Sequence, residues 1–253
     1  MNNYSDSEYE IFSRLFIQKE FSEENIKKLG NINIGIAGVG GIGCPLSQYL
    51  INSGIKKMTL VDGDNVEKSN LNRQILFGFN DIGEKKVNVA KKKLQLTNPN
   101  CIINVFDKNI NERNLNLLSG CSLIVDSTDN WQVSKLLNKF CLKNSITFLY
   151  SSVIKNDLQV ILFENNKNND HVCLNCIFPN KDDIDLPRCE TVGISGISAG
   201  LAGLIAAQKI INFCLNLKEE RNILTISDGK QLSIENILVR SKHSCNLNKF
   251  EVN

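Results

Sequence analysis

Short apolar runs alternate with amphipathic segments along the first two thirds of the chain. Residues 32–39 are rich in isoleucine and lead into closely spaced glycines, which is typical of a buried parallel strand that enters a tight turn. A helix is predicted over residues 45–53 and a second strand over Lys57–Val61. The first sixty residues therefore predict a strand, glycine turn, helix and strand, the unit that forms half of a mononucleotide-binding fold.

The alternation continues to residue 163 and predicts a mostly parallel sheet. After residue 163 the pattern changes to a loop at residues 170–190, a Gly/Ala-rich helix at residues 195–215, two strands and a polar tail. We therefore predict an α/β, Rossmann-like, doubly wound fold with a C-terminal antiparallel extension. The elements in between are predicted as helices over residues 84–96, 111–118 and 131–143, and as strands over residues 102–106, 122–126, 147–151 and 157–163.

Length and charge limit the possible classes of protein. With 253 residues and 42% hydrophobic content, the chain can form one substantial core. We expect a single domain, made of an N-terminal helical arm (residues 1–30), a nucleotide-binding half (31–165) and a C-terminal half (166–253). The 29 basic and 27 acidic residues are too evenly balanced to predict a nucleic-acid or membrane partner. The polar, acidic N-terminus and the lack of an apolar run of bilayer-spanning length predict a cytoplasmic protein.

Nine cysteines in a chain of this kind favour thiol or metal chemistry over a disulfide framework. A free cysteine in apolar surroundings behaves as a small hydrophobic residue. On that ground we expect five of the nine to be core residues, namely Cys44, Cys101, Cys121, Cys141 and Cys214.

The glycine turn carries the first functional motif. Gly38, Gly40 and Gly43 match the spacing G-x-G-x-x-G between a predicted strand and a predicted helix, and Gly41 is a further glycine within it. Glycines let the backbone approach a phosphate, and the following helix N-terminus presents unpaired N–H groups to it. Asp62 ends the second strand, where a carboxylate can accept hydrogen bonds from ribose hydroxyls. These features predict a nucleotide site but leave NAD and ATP open.

The segment after Asp62 favours a polyphosphate. Asn70, Arg73 and Gln74 are three and four residues apart, so on a helical turn they would project together as donors. Lys85 and Lys86 follow, and a lysine beside the phosphates would neutralise charge on departing pyrophosphate; the alternative is a solvated basic helix face.

Asp129 follows the predicted strand at residues 122–126, at the carboxyl edge of the sheet. A carboxylate there suits Mg²⁺ held together with nucleotide phosphates, and it could also cap the helix that begins at Asn130 or Trp131.

These motifs together resemble the ThiF/MoeB-type adenylyltransferases of sulfur-carrier proteins, a branch of the ubiquitin-activating-enzyme superfamily. The resemblance covers nearly the whole chain. It implies ATP bound across the glycine loop, with Mg²⁺ at Asp129 beside Asn130. It further implies Asp62 at the ribose, and Asp64, Asn70, Arg73, Gln74 and Lys86 around the phosphates. The motifs that carry it are residues 12–14, 38–43, 62–64, 69–74, 83–87, 98–99, 128–130, 173–176, 188–191 and 228–229.

The resemblance also implies partners. A small ubiquitin-like carrier protein would present its C-terminal Gly-Gly carboxylate for adenylation, and residues 166–253 would supply much of its binding region. Arg14, on an N-terminal helix, would reach the nucleotide of a neighbouring subunit, which implies a homodimer. A sulfur-donating desulfurase is a further expected partner. Because a carboxylate is already ionised at neutral pH, the adenylation step needs no general base.

Two cysteine motifs extend these expectations. Cys189 lies beside Arg188, whose charge favours a thiolate, and matches the cysteine that thiamine-pathway members use for covalent linkage; the alternative is an idle loop thiol. Cys173 and Cys176 form half of the family's four-cysteine zinc knuckle.

The chain departs from the family at two places. Cys245 matches the second half of the zinc knuckle, but Asn248 replaces its other cysteine, so His243 is the candidate fourth ligand. A decayed, metal-free site and a redox pair are the alternatives. Ser134 stands where the family usually has arginine, and Lys135 is the candidate to replace that charge.

Several functions fit the sequence. The favoured one is adenylation of a ThiS-like carrier, and the alternatives within the same chemistry are a MoaD-like carrier or a short peptide in natural-product biosynthesis. A scaffold subunit of a heterodimeric activating enzyme is a non-enzymatic alternative, which the presence of Arg73, Lys86 and Asp129 disfavours. An NAD-binding oxidoreductase is disfavoured by residues 70–74.

Overall fold

The computed structural model describes residues 5–165, 172–179, 193–217 and 221–241. Within these ranges the chain forms one eight-stranded sheet in the order β3-β2-β1-β4-β5-β6-β7-β8. The first five strands in this order are parallel, and the last three pairings are antiparallel. The strands are β1 (Asn33–Ala37), β2 (Lys57–Val61), β3 (Ile102–Phe106), β4 (Leu123–Asp126), β5 (Thr147–Ile154), β6 (Asp157–Phe163), β7 (Ile223–Asp228) and β8 (Ser233–Leu238).

Helices cover both faces of this sheet, which confirms the doubly wound α/β prediction. On one face α7 packs against α3, β5 and β6, and on the other α5 packs against β4 and β5. The buried side chains accordingly form two apolar clusters, one on each side of the parallel strands. The helices are α1 (Asp6–Ile11), α2 (Glu23–Asn31), α3 (Gly43–Asn52), α4 (Lys86–Thr97), α5 (Trp131–Asn144), α6 (Leu174–Ile177) and α7 (Gly196–Leu215).

The strand order reverses at β1. The chain continues outward through β2 and β3 on one side of β1, then crosses back to β4 and β5 on the other. A crevice opens at the carboxyl ends of the strands at such a switch point, and open α/β sheets bind ligands there. The glycine turn after β1 therefore lies where the fold favours a ligand site.

One predicted helix is wrong. Residues 111–118 form only a short 3-10 helix, Leu115–Leu118. The side chain of Asn111 accepts from Arg113 N at 2.9 Å, and Asn114 accepts from Asn111 N at the same distance. Side-chain acceptors of this kind compete with helical backbone bonds, so the asparagines hold this segment in turns.

The expectation that the chain has no apolar run of bilayer-spanning length is wrong for helix α7. Among the described residues, it has the length and mean hydropathy (1.4) of a membrane span. Half of the apolar window is buried inside the protein, where the helix packs against the sheet and α3. The sequence does contain an apolar run of that length, and its place in the core accounts for its composition.

The N-terminal arm is held by a buried carboxylate and by Phe12, which packs in the core. Glu8 on α1 accepts from Ser5 N at 2.8 Å, which completes a capping box, and pairs with Lys56 at 2.7 Å. Its side chain is 3% exposed. Arg14 lies in the exposed turn that follows α1, so the expectation that a helix carries it is wrong.

Candidate nucleotide-binding site

The glycine loop is locked to the turn after β4. Gly38 has φ +89°, and a Cβ atom there would lie 2.8 Å from Ser127 O, so only glycine fits. The Ser127 hydroxyl lies 2.7 Å from Gly38 O and 3.0 Å from Ala37 O, both of which can accept its hydrogen bond. Gly43 begins α3, and a Cβ on it would overlap Gly38 O. Gly43 thus allows close packing within the loop, whereas Gly38, Gly40 and Gly41 line the cavity beside it.

Asp62 joins the end of β2 to the glycine loop. Its Oδ2 accepts from Val39 N at 2.7 Å, and its Oδ1 accepts from Asp64 N at 2.9 Å. Burial raises the pKa of this carboxyl, against the lowering by Lys86 and the two backbone donors. Asp62 is thereby fixed at the cavity wall, where the sequence predicted a ribose acceptor.

The two adjacent lysines have different surroundings. Lys86 is the first residue of α4, is 6% exposed, and pairs with Asp64 at 2.8 Å on the cavity wall. Lys85 instead pairs with Asp107 at 3.1 Å and donates to Gly63 O at 3.3 Å. The alternative of a solvated basic face is therefore wrong for Lys86, and Lys85 does not line the cavity.

Asn70, Arg73 and Gln74 project from one turn, as their spacing predicted. The backbone N–H groups of Arg73 and Gln74 both donate to Asn70 O. Arg73 Nη1 donates to Ser69 O at 2.8 Å and to Asn72 Oδ1 at 3.1 Å. Arg73 lines the cavity, and its Nε and Nη2 donors are not used in these two bonds. Gln74 Oε1 is buried and has no hydrogen-bond partner within the described residues. The turn therefore presents polar groups that a bound ligand can use.

In the turn after β4, the capping of α5 and the possible binding of Mg²⁺ fall to different residues. Asn130 caps α5, because its Oδ1 accepts from Gln132 N at 3.0 Å and Val133 N at 3.3 Å. Asp129 is exposed and lines the cavity without acting as the cap.

These groups surround one cavity of about 590 Å³. All of the predicted nucleotide-contacting residues line it except Gly43. They meet there because β1, β2 and β4 are neighbours in the sheet and end at the same edge.

Nearly the whole chain matches a known family. The sequence model of the ThiF family aligns with residues 12–247. This chain belongs to the ThiF family.

Relatives within the ThiF family are named as adenylyltransferases. The chain is 27% identical over 247 residues to the sulfur carrier protein adenylyltransferase of Thermus thermophilus, covering 96% of this chain and 91% of that protein. It is 31% identical over 243 residues to the adenylyltransferase and sulfurtransferase MOCS3 of Drosophila grimshawi. That match covers 95% of this chain but 54% of the relative, so the chain spans about half of its length. By family the enzyme is an adenylyltransferase, and the oxidoreductase alternative is set aside.

The fold is shared with a solved structure. The crystal structure of E. coli MccB with MccA-N7isoASN superposes with a TM-score of 0.81 at 22% identity. The superposition covers 96% of this chain and 75% of that chain. At this identity the likeness establishes the fold, including the Rossmann-like sheet.

Several cavity residues carry no signal in the ThiF motifs. Their only signal in the sequence is position, because they follow β3, begin α5, end β5 or precede α7, close to the carboxyl edge of the sheet. They are Lys108, Asn109, Ile110, Trp131, Tyr150, Ser152, Val153, Ile154 and Ile194.

Other residues expected from the family lie elsewhere. Arg14 does not line the cavity of its own chain. Cys173 and Cys176 are buried at α6, and no cluster of three metal-ligating side chains occurs within the described ranges. Cys189, His243 and Cys245 lie outside the described residues.

The five cysteines expected in the core are there. Cys44, Cys101, Cys121 and Cys141 are buried, and Cys214 is partly buried. Burial raises the pKa of each thiol, to about 12 for Cys44 and Cys214, which disfavours the reactive thiolate.

Proposed function

We propose that this enzyme uses ATP to adenylate the C-terminal glycine carboxylate of a small ubiquitin-like sulfur-carrier protein. One observation carries the proposal: Lys86 and Arg73 line the same cavity as the glycine loop and Asp62. A cavity with cations placed beside an anion-binding loop suits a nucleoside triphosphate. The name of the Thermus thermophilus relative supports the choice of a sulfur carrier.

The nucleotide would lie along the ends of β1 and β2. Asp62 would accept from the ribose, and the backbone of Gly40 and Gly41 would face the phosphates. Arg73 and Lys86 would neutralise the charge that develops on pyrophosphate as it leaves. Lys86 is suited to this because its burial and its contact with Asp64 hold the ammonium group in place.

Mg²⁺ would be held by Asp129. The residues fit, since Asn130 performs the capping and the Asp129 carboxylate remains exposed in the cavity. When bound, the ion would supply positive charge to the phosphate oxygens.

The chemistry is a single displacement. An oxygen of the carrier carboxylate attacks the α-phosphorus, a new P–O bond forms, and the bond to the bridging oxygen of pyrophosphate breaks. The products are the acyl-adenylate and pyrophosphate. The enzyme contributes positioning and charge stabilisation and abstracts no proton.

Finer features belong to the same proposal. We favour a ThiS-like carrier over a MoaD-like one, with later covalent capture on Cys189 and a desulfurase as sulfur source. Two chains would form a homodimer in which Arg14 of each reaches the nucleotide of the other. Zinc would be held by Cys173, Cys176, Cys245 and His243; elemental analysis of protein purified without chelator tests this ligand set.

Carrier-dependent ATP–pyrophosphate exchange tests the function. We expect exchange with a carrier ending in Gly-Gly, and a loss on the order of 10²-fold in Lys86→Ala. Lys85→Ala is the matched control, because the neighbouring lysine pairs with Asp107 outside the cavity, and we expect it to stay within about threefold of the parent. Asp129→Ala should abolish exchange with the fold intact.

Three other results of the exchange assay would contradict the proposed function or part of it. Absence of exchange with every Gly-Gly carrier would contradict the proposed function. Exchange with free short peptides but not with carriers would favour the peptide alternative. Equal losses in the two lysine variants would refute the placement of Lys86 at the phosphates.

A further inference from the structure

The cavity has a second side that the nucleotide residues do not use. Its first side comes from the ends of β1, β2 and β4 and the turn at residues 70–74. It carries the glycine loop, Asp62, Lys86, Arg73 and Asp129. Its second side comes from the start of α5 and the end of β5, and includes Trp131, Tyr150 and Ser152. An adenylation site holds two substrates, so the second side is left for the acyl donor.

This second side is an aromatic wall. Trp131 is 8% exposed and Tyr150 is 5% exposed, so both rings line the cavity while most of their surface is packed. Tyr150 and Ser152 are two residues apart on β5 and face the same way. Burial, the largest influence, raises the pKa of Tyr150 to about 12, against the lowering by its hydrogen bond with Ser152. The tyrosine is therefore a neutral, fixed part of the wall.

The wall is supported from behind by Phe178, which does not line the cavity. The Phe178 ring meets Trp131 edge-on at 5.4 Å and Tyr150 at 6.0 Å, and the Trp131 and Tyr150 rings meet each other at 6.4 Å. Each pair is in the edge-to-face geometry that aromatic rings favour. None of the three rings can swing aside without losing these contacts, so the contacts favour the observed position of the wall.

We propose that Trp131 and Tyr150 form the acyl-donor wall, which limits the residue bearing the reacting carboxylate to glycine. The inference rests on the proposed function, and it names the residues that determine specificity at that site. A side chain on the terminal residue would have to displace rings that Phe178 holds in place. Glycine adds no such atoms.

The test compares two donors in each protein. One is a carrier ending in Gly-Gly and the other is the same carrier ending in Gly-Ala, both assayed by pyrophosphate exchange. The measured quantity is the ratio of kcat/KM for the two donors. Because both values come from one preparation, the ratio is independent of the fraction of protein that is folded.

We expect the parent enzyme to prefer the glycine donor by at least about 10-fold, the size of a one-methyl discrimination. Tyr150→Ala and Trp131→Ala should each reduce that preference by about 10-fold, since each removes part of the wall. Tyr150→Phe keeps the ring and should keep the preference. Phe178→Ala, which alters the wall from behind, should reduce it by a smaller factor.

The inference is overturned if the parent enzyme uses both donors equally. It is also overturned if the alanine variants keep the full preference; where one does not fold, Tyr150→Leu carries the same test. Exchange with the glycine donor together with an unchanged ratio would reject the wall and leave the proposed function standing. Absence of exchange with any donor would reject both.

Discussion

At the scale of single residues, Asp126 is the most unusual carboxylate within the described ranges. It is fully buried at the end of β4, where its Oδ1 accepts from Thr128 N at 3.0 Å and Thr128 Oγ1 at 2.7 Å. Its Oδ2 has no hydrogen-bond partner among the residues that the structure describes. The Ser134 hydroxyl lies beside Asp126 and within hydrogen-bond distance of Asn130 O, at 3.2 Å. Burial, the largest influence, raises the pKa of Asp126 to about 6, against the lowering by Ser134 and Thr128.

This raised pKa predicts that Asp126→Asn increases the stability of the folded protein, by an amount that depends on pH. Because the folded-state pKa lies above the unfolded value, the stability linked to this group is complete at low pH and is lost as pH rises through about 6. The loss is about 3 kcal/mol for a shift of this size. The amide has no charge to bury, so we expect the variant to gain stability over the parent at pH 8 and little at pH 4. Urea unfolding at both pH values measures the difference.

Asp129→Asn is the control for that experiment. It removes a carboxylate three positions along that is exposed to solvent. We expect no pH-dependent gain from it. A gain in Asp126→Asn of the same size at both pH values would contradict the burial argument.

At the scale of elements, α1 is held by a buried ion pair as well as by apolar packing. Glu8 is buried against Lys56, so removing the carboxylate takes its close ion-pair partner from an ammonium group that is 14% exposed. We expect Glu8→Ala to lower the free energy of unfolding by roughly 3 kcal/mol and to speed proteolysis within the first twenty residues. Glu10→Ala, an exposed position on the same helix, should do neither.

The effect of Glu8→Ala should also depend on pH. Burial alone would raise the pKa of Glu8, but Lys56, Ser5 and the nearby asparagines lower it overall. The stabilisation by Glu8 is therefore present above the unfolded-state pKa and lost as pH falls through the lowered value. A difference between the variant and its parent that grows on acidification would contradict the ion-pair explanation.

Elements with strong local patterns could be predicted from the sequence. The pattern predicts β2 and β3 with their observed bounds, because each is a short, mostly apolar run that ends directly before an aspartate, Asp62 or Asp107. For residues 111–118 the apolar spacing predicts a helix that the structure does not contain. The asparagine side chains that set the turns there leave that spacing unchanged.

The residues on the nucleotide side of the cavity can also be found from local sequence patterns. Gly38, Asp62 and Lys86 belong to contiguous motifs, whereas Tyr150 and Ile194 come from distant segments that only the folded sheet brings together. Arg14 could not be placed from sequence, since its expected role depends on a second chain.

At the scale of the whole molecule, the exposed position of Arg14 bears on the proposed dimer. If Arg14 serves the partner's nucleotide, a mixed dimer of Arg14→Ala and Arg73→Ala chains has one site with both arginines intact. In an equal mixture, random exchange of subunits makes half of the dimers mixed, and each mixed dimer has one intact site out of two. The mixture should therefore regain about a quarter of the parent activity. Pyrophosphate exchange measured before and after mixing tests this.

A second mixture controls for nonspecific recovery. Arg73 and Lys86 line the same cavity of one chain, so mixed dimers of Arg73→Ala and Lys86→Ala contain no intact site. We expect no recovery from that pair. Equal recovery in both mixtures, or none in the first once subunit exchange is verified, would count against a site shared between subunits.

The position of Trp131 has a spectroscopic consequence. It is the only tryptophan in the sequence, and it lies in the cavity wall directly after Asp129 and Asn130. The intrinsic indole emission of the whole protein therefore comes from one point at the boundary between the two substrate sides. Titrating ATP and the acyl donor separately, with no label attached, would record the arrival of each substrate from the same fluorophore.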